Sequence, residues 1–488
     1  MSGLSDFNDM ANTVGIDAVR ETVAAARPVG SVTPISSAAR NRQSQDSSGQ
    51  AIQADADQLV LAERFIDSIE DQTGERPVFS LGSFYTYNND TGLWKPDNPD
   101  AIAVRVGARF PGHKLCKKLS DYRQIAAIVA TLTEDQDFFS NAPGGVAAGA
   151  KFYRISAAGE IVAEQLGAGH RQRLLVPSEP DFNADAPLLS MLLDNALGTD
   201  DAGRAQQRLL QMGLGAALAR ILWRYRVVLM LNGASSTGKS TILEILKGFF
   251  PPDSVGATNP QNWGNEYHAA ALAGRALNLV GELDPNVPIQ GGIFKAVTGG
   301  DVVEARHPTH RPFSFVCTAG HIFNCNRLPP TRDKSDAFFR RWRIIEFSNS
   351  IAPGAEIIGL ADRIISEEQS AVLAWLLAGA ADLVRNGGFI ETENHARLIQ
   401  YWRAGNNSAL QFVLDNEYVE LKQPEVPVSA QEVFALYRRW ASDAGVKVMG
   451  RNAFYEALGD GGGRLGVVVA DDRSGLKTVF GIGLKKNP

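Results

Sequence analysis

Residues 227–241 read Val227-Val228-Leu229-Met230-Leu231-Asn232-Gly233-Ala234-Ser235-Ser236-Thr237-Gly238-Lys239-Ser240-Thr241. Val227–Leu231 is a continuous apolar run, the pattern of a strand buried on both faces. From Gly233 the chain fits G-x-x-x-x-G-K-[ST], and Thr241–Lys247 continues as a helix, so strand, glycine-rich loop and helix follow in the order the motif requires. Glycines in such a loop let backbone N–H groups turn inward around phosphate oxygens, and the helix N-terminus adds positive potential there. Gly233, Ala234, Ser235, Ser236, Thr237, Gly238, Lys239, Ser240 and Thr241 are therefore the expected phosphate-binding residues. Lys239 would reach the β- and γ-phosphates and the Ser240 hydroxyl would ligate Mg²⁺, making ATP and Mg²⁺ the expected ligands.

Further buried-strand runs follow at Ala276–Val280 and Phe313–Thr318, with helical periodicity over Ala205–Leu222 before the loop and Ile364–Val384 after it. This alternation predicts an α/β domain built on a parallel sheet. The strand at Ala276–Val280 runs into Gly281-Glu282-Leu283-Asp284. A carboxylate at the tip of a neighbouring strand can orient the attacking water and help hold Mg²⁺, which nominates Glu282 as the catalytic acid and Asp284 as a second metal-side acid. The plainer reading of either is a turn or capping acid. A guanine-reading motif is not evident, which argues against a GTPase.

The chain has 488 residues, enough for about three or four domains, and is 44% hydrophobic and 21% charged, a globular composition. Three cysteines without a C-x-x-C pair exclude a disulfide scaffold and argue against a zinc module. The longest apolar run, Ala371–Ala381, is half of the ~20 residues a membrane span needs, and the N-terminus has no signal-peptide core. A soluble protein of the host-cell cytoplasm, bacterial by expectation, is the result. Net charge is −6, yet Val426–Pro488 holds nine basic against six acidic residues and Arg311–Ile345 seven against two. Local basic zones on an acidic body permit nucleic-acid contact.

Four further segments follow the glycine-rich loop in order. Leu272-Ala273-Gly274-Arg275 leads into the strand that ends at Glu282. Phe294-Lys295-Ala296-Val297-Thr298-Gly299-Gly300-Asp301 is similar to a K-x-x-T-G-G-D signature, and Ile322-Phe323-Asn324-Cys325-Asn326-Arg327-Leu328-Pro329 to a strand ending in N-x-x-P. Asp336–Phe347 carries Arg340, Arg341 and Arg343. In this order the set, over roughly Phe138–Pro488, resembles the superfamily 3 helicases, specifically the phage/plasmid and poxvirus-type primase-helicase ATPases. The resemblance implies an AAA+-like P-loop ATPase with a central parallel sheet, a helical collar region before it and a C-terminal winged helix, assembled as a homo-hexameric ring. It implies that Asn326 senses the γ-phosphate and that Arg340 or Arg341 is a finger reaching a neighbour's nucleotide. Surface pairing with Asp333 or Asp336 is the plainer role for either arginine.

Val302–Phe315 reads as strand, proline-containing tip and strand, and the resemblance makes it a channel hairpin gripping single-stranded DNA. Lys295, Arg306, His307, His310 and Arg311 are the expected contacts there; His307 and His310 read equally well as solvated loop residues. In Val426–Pro488 a helix, a second helix and a strand pair around Asp471–Gly475 outline a winged helix, with Arg451, Asn452, Arg473 and Lys477 toward duplex DNA; protein docking is the alternative use. The expected division is a disordered tail (1–58), a small α+β domain (59–137), a collar (138–204), the ATPase (205–388), a helical connector (389–425) and the winged helix (426–488). Too little chain precedes the resembling region for a primase domain. The expected activity is 3′–5′ unwinding of single-stranded and forked DNA in replication of a phage, plasmid or integrated element, with an origin-binding role and a separate primase or polymerase as further partners. The alternative, from another class, is an AAA+ switch that assembles partners without unwinding.

Overall fold

Val228, Leu229, Met230 and Leu231 offer no side chain that gains by facing water, and all four are fully buried in a strand covered on both faces. The computed structural model describes residues 57–485 apart from 309–311, 334, 353, 355, 406, 423–425 and 472–475. The tail expected over 1–58 lies outside the described residues except for its last two. Asp57 caps helix α1 (Gln58–Thr73) by accepting from the Val60 amide.

An antiparallel sheet of β1 (Val78–Ser80), β2 (Ser83–Asn88) and β3 (Leu93–Asp97) follows, then α2 (Pro99–Arg109) and α3 (Leu119–Leu132). The Asn88–Gly92 turn joins β2 to β3, with Asn88 Oδ1 accepting from both the Thr91 amide and hydroxyl. Residues 138–204 depart from the helical collar expected of them. They open with a second antiparallel sheet, β4 (Gly145–Ala148), β5 (Lys151–Ile155) and β6 (Ile161–Gln165), and only then reach α4 (Pro187–Leu197). KFYRI and IVAEQ are rich in aromatic and β-branched residues, and Gly149 and Gly159, both at positive φ, supply the tight turns between the strands.

Next come α5 (Asp201–Leu218), β7 (Val228–Gly233), α6 (Lys239–Lys247), β8 (Val255–Gly256), α7 (Glu266–Ala270) and β9 (Leu277–Val280). After them come α8 (Gly291–Gly299), β10 (Val302–Ala305), β11 (Phe313–Val316), β12 (Gly320–Cys325), α9 (Asp336–Phe339), β13 (Trp342–Phe347) and α10 (Leu360–Arg385). Five strands form one parallel sheet in the order β13-β7-β12-β9-β8. Phe313–Thr318 is not one of them. β11 pairs antiparallel with β10 as a separate hairpin, and only Phe315 of its residues is buried, in the same core as Val228, Met230 and Phe323 of the sheet. β13, unread in the sequence, takes the place beside β7.

α5 and α10 cross on one face of the sheet at very short range. A Cβ on Gly215 would lie 2.1 Å from the Leu376 carbonyl oxygen, and one on Gly379 would lie 2.2 Å from that of Gln211. At the far end of α10, the buried Glu368 carboxylate accepts from the Leu188 and Leu189 amides (2.7 and 3.0 Å), satisfying the first turn of α4.

The C-terminal part contains α11 (Glu393–Ala404), α12 (Ser408–Asp415), β14 (Val419–Leu421), β15 (Val428–Ser429), α13 (Ala430–Asp443), α14 (Arg451–Gly462), β16 (Val468–Asp471), β17 (Lys477–Phe480) and β18 (Ile482–Leu484). The expected connector 389–425 is cut differently by the packing. Ala409, Phe412, Val413 and Val419 share one core with Tyr437, Trp440, Phe454 and Val479, and β14 pairs with β18. Ser429, with Glu432 three residues later, has the sequence pattern of a capping box, but the Ser429 side chain makes no cap bond to α13.

Packing this close makes two measurable demands on stability. Gly215→Ala places a methyl against backbone and should lower stability by about 1–3 kcal/mol, read as a shift in urea midpoint. Burial holds His321 at about 3, and burial with Arg343 holds His395 at about 4, so both are neutral when folded. His395 Nδ1 accepts from the Ile344 amide, with Glu391 the nearby carboxylate. Unfolded imidazoles titrate near 6.5, so this stability is complete above that pH and is lost as pH falls toward the folded values. Each histidine should contribute a slope of about 1.4 kcal/mol per pH unit, and His395→Asn should flatten the midpoint-versus-pH curve by one such slope.

Candidate functional site

The two central strands, β7 and β12, send the chain in opposite directions. After β7 it goes to β8 at one edge, and after β12 to β13 at the other. Open α/β sheets bind ligands in the crevice beyond the carboxyl ends of strands at such a switch point. The loop 233–238 occupies it. Ser236 and Gly238 take left-handed φ values of 56° and 89°, and a Cβ on Gly233 would lie 2.2 Å from the Phe347 carbonyl oxygen, so only glycine fits between β7 and β13. The loop opens on a cleft of about 330 Å³ lined also by Leu192, Gly281, Glu282, Asn324, Cys325, Asn326, Ile351, Glu356, Ile357 and Leu360.

Lys239 is buried at the start of α6. Its Nζ donates to the Gly233 carbonyl (2.7 Å), the Ala234 carbonyl and Thr237 Oγ1 (3.2 Å). Burial lowers its pKa, and Cys325 and Glu282 act in the opposite sense. An ammonium with carbonyls but no carboxylate in contact is poised to exchange those carbonyls for an anion's oxygens. Ser240 is exposed in the same cleft. Asn326 Nδ2 donates to Glu282 Oε1 at 3.1 Å, so the two nominated polar groups meet across adjacent strands. The segment behind Asn326 is pinned, with Trp402 Nε1 donating to the Pro329 carbonyl at 2.6 Å.

Other nominated residues are placed elsewhere. Asp284 does not line the cleft; its carboxylate accepts from the Asn286 amide in a turn, and its backbone is held by Gln261. Gly281 lines the cleft just before Glu282, and nothing lies within 4 Å of a Cβ there, so the position has room for a larger residue. Arg341 is 7% exposed, with its guanidinium donating to the Ala337 and Lys295 carbonyls. Burial, then Arg340 and Arg226, lowers its pKa against Asp301 and Asp333. Arg341 is therefore held within its own chain, and Arg340 is the exposed arginine of the two. Lys295 pairs with Asp333 at 2.8 Å; burial raises the Asp333 pKa, but Lys295 and Ser335 outweigh it, and the net shift is downward.

On the hairpin, Arg306 is tied to Glu266 (2.6 Å) and Tyr267, while His307 stacks on Phe313. His310, Arg311 and Arg473 lie outside the described residues. Arg451 and Asn452 are exposed at the start of α14, and Lys477 pairs with Asp471 at 3.4 Å.

Sequence reasoning missed Asn324. It is 2% exposed, lines the cleft, and neither its Nδ2 nor its Oδ1 has a partner among the described residues. The readable signal was a polar residue interrupting the apolar strand Ile322-Phe323-Asn324-Cys325. Glu356 was missed as well; it comes from the segment after β13, and its Oε2 accepts from the Gly354 amide.

A family described as "Family of unknown function (DUF5906)" matches residues 231–341. No curated protein matches the chain. Among solved structures, the A-form apo structure of the NrS-1 C-terminal region is similar at TM-score 0.46 and 12% identity, covering 88% of this chain and 100% of that one. Two further apo structures of the NrS-1 C-terminal region (305–718) are similar at TM-score 0.41 and 11% identity, covering 87% and 88% of this chain and all of theirs.

The site yields a stability signature. A buried unpaired amide costs about 1–3 kcal/mol, so Asn324→Leu should raise the urea midpoint, while Arg341→Ala should lower it and Arg340→Ala leave it unchanged. A midpoint that falls in Asn324→Leu would show that its amide is paired after all.

Proposed function

We propose that the chain is an ATP-driven DNA helicase of the superfamily 3 kind, an AAA+-like ATPase that works as a hexameric ring in replication of a phage, plasmid or integrated element. The observation that carries this reading is the convergence of Lys239, Ser240, Glu282 and Asn326 at the carboxyl ends of β7, β9 and β12. An incoming triphosphate would replace the Gly233 and Ala234 carbonyls on Lys239 with β- and γ-phosphate oxygens. Glu282, oriented by the Asn326 amide, would hold the attacking water. The water's oxygen would bond to the γ-phosphorus as the bond to the bridging oxygen breaks, its proton passing to the Glu282 carboxylate, giving ADP and phosphate.

The donor set fits Mg²⁺ in the way this ion is bound with nucleotides, by few protein oxygens plus phosphates and waters. Ser240 would hold it directly and Glu282 through water, and when bound it supplies charge neutralisation across the β- and γ-phosphates. Arg340 would complete a neighbour's site, because a fixed guanidinium in trans stabilises the charge developing on the phosphoryl group. Single-stranded and forked DNA would be the substrate, moved 3′ to 5′. The C-terminal helices and hairpin would act as a winged helix on duplex DNA, and a separate primase or polymerase would supply synthesis.

One observation favours the second reading, a remodeller that does not unwind. Arg306 is engaged by Glu266, and the cleft beside β11 carries the carboxylates of Glu134 and Asp137, the wrong sign for phosphate. Strand separation on a forked duplex decides. Glu282→Gln should lower ATP turnover by about 10²–10⁴-fold with nucleotide still bound. Lys239→Ala and Arg340→Ala should each abolish unwinding, and mixing the two should restore part of the hydrolysis. ATP turnover without unwinding on any fork or tail polarity would sink the helicase reading in favour of the remodeller.

A further inference from the structure

The root of the β10–β11 hairpin holds a concentration of positive charge that the site described above does not use. Arg171, Arg220 and Arg224 line a small cavity with Trp223 and Thr318, and no acidic residue lines it among the described residues. Thr318 follows β11, and the Trp223 ring stands 3.7 Å from where a Cβ on Gly300 would be, just before β10. The cavity has room for about one oxygen-sized group.

Each neighbouring guanidinium is held in place by aromatic faces or main-chain oxygens, which orient it without neutralising it. Arg171 lies 4.5 Å over the Phe138 ring and donates to the Phe138 carbonyl (2.9 Å). Arg173 lies 4.6 Å over Phe139, donates to Tyr85 Oη (3.3 Å), and keeps a buried Nε with no partner among the described residues. Arg224 donates to the Ser140 and Ala142 carbonyls and lies 5.7 Å from the centre of the Trp223 ring. Arg220 sits among them, and burial, then Arg173 and Arg224, depress its pKa to about 9, with Tyr85 acting the other way. Arg171 and Arg220 also take left-handed φ values of 52° and 59°, a backbone cost of about 1–2 kcal/mol apiece for a residue with a Cβ. Four like charges and two strained residues are an unfavourable arrangement unless an anion completes it.

We infer that this arginine cluster binds a phosphate of a single-stranded DNA backbone, inserting one phosphate oxygen between Arg171, Arg220 and Arg224. The inference rests on the reading of the chain as a DNA motor and moves the cationic grip from the tip of the hairpin to its root. The occupant follows from the charge, from the single-oxygen depth, and from continuity with the hairpin. A diester carries two non-bridging oxygens and can insert one while the other stays in solvent, and the flank of β11 is acidic, so the root is where a strand passing the hairpin meets uncompensated cations.

The test is fluorescence anisotropy of a labelled oligothymidylate on the full chain, without nucleotide and over a series of salt concentrations. Leaving nucleotide out makes the result independent of whether the cleft hydrolyses ATP. Arg220→Gln and Arg224→Gln should each weaken binding by roughly tenfold and reduce the salt slope by ~0.7 for each phosphate no longer neutralised, whereas Arg220→Lys should keep the slope. Inorganic pyrophosphate, applied to Lys239→Ala so that the glycine-rich loop does not compete, is the second arm. If it raises the melting temperature and Arg220→Gln abolishes that rise while oligothymidylate binding is unchanged, the cluster holds a free anion and the backbone assignment falls. Should Arg220→Gln melt early, the exposed Arg224→Gln decides alone. Unchanged affinity and slope there would reduce the cluster to a joint between the two antiparallel sheets and the ATPase core.

Discussion

Strand β7 is paired along both edges and buried on both faces, and this double enclosure governs the rest of the molecule. With β13 on one side and β12 on the other, its carboxyl end leaves the chain one exit, upward into the loop 233–238. The close approach of Gly233 to the Phe347 carbonyl fixes how steeply that exit turns. Because the register sets Asn232 level with Cys325, and Val280 level with Phe323 on the far side of β12, Glu282 and Asn326 arrive at one height without being near in sequence. Their contact is a consequence of strand register rather than of local chemistry.

The same enclosure explains what could be read in advance. A run of five apolar residues followed by Asn232-Gly233 admits few structures, so strand, loop and helix were legible at residues 227–247, as was the helix over Ile364–Val384. The burial of Arg341 was not legible. A pair of adjacent arginines reads alike from sequence, and only packing of α9 beneath α8 turns one inward to the Lys295 and Ala337 carbonyls and leaves the other outside. Nor was 138–165 legible as a sheet, because strands of four or five residues are too short to set a clear period of two, and the resemblance implied helices there. Asp284 failed for a third reason: an acid two residues past Glu282 looks equivalent in sequence, yet the turn that follows β9 uses its carboxylate to hold itself.

Three polar groups in this fold are held at a cost to stability. The amide of Asn324 stays buried and unpaired, Lys239 is desolvated against its own loop, and Arg220 is crowded by like charges. Each is a cost that an apolar residue would remove. Their compensation lies in the parts that do not participate: the glycine-enabled contact of α5 with α10, the Glu368 cap on α4, and the stacked rings of Trp263, Phe294 and Trp342 under the sheet.

β12 connects two of these strained places directly. It begins just beyond Thr318 at the hairpin root and ends immediately before Asn326, a span of about 20 Å at the rise of an extended chain. Along that length it cannot slip. Both edges are hydrogen-bonded, to β7 and β9, and His321 near its start is enclosed by Asn278, Cys317 and Trp263. A strand held this way moves as a rigid rod or not at all, so a phosphate engaged at the arginine cluster and a phosphate engaged at Asn326 would act on opposite ends of the same element. Loops of comparable length would absorb such a displacement in their own torsions. A doubly paired, fully buried strand has no such freedom.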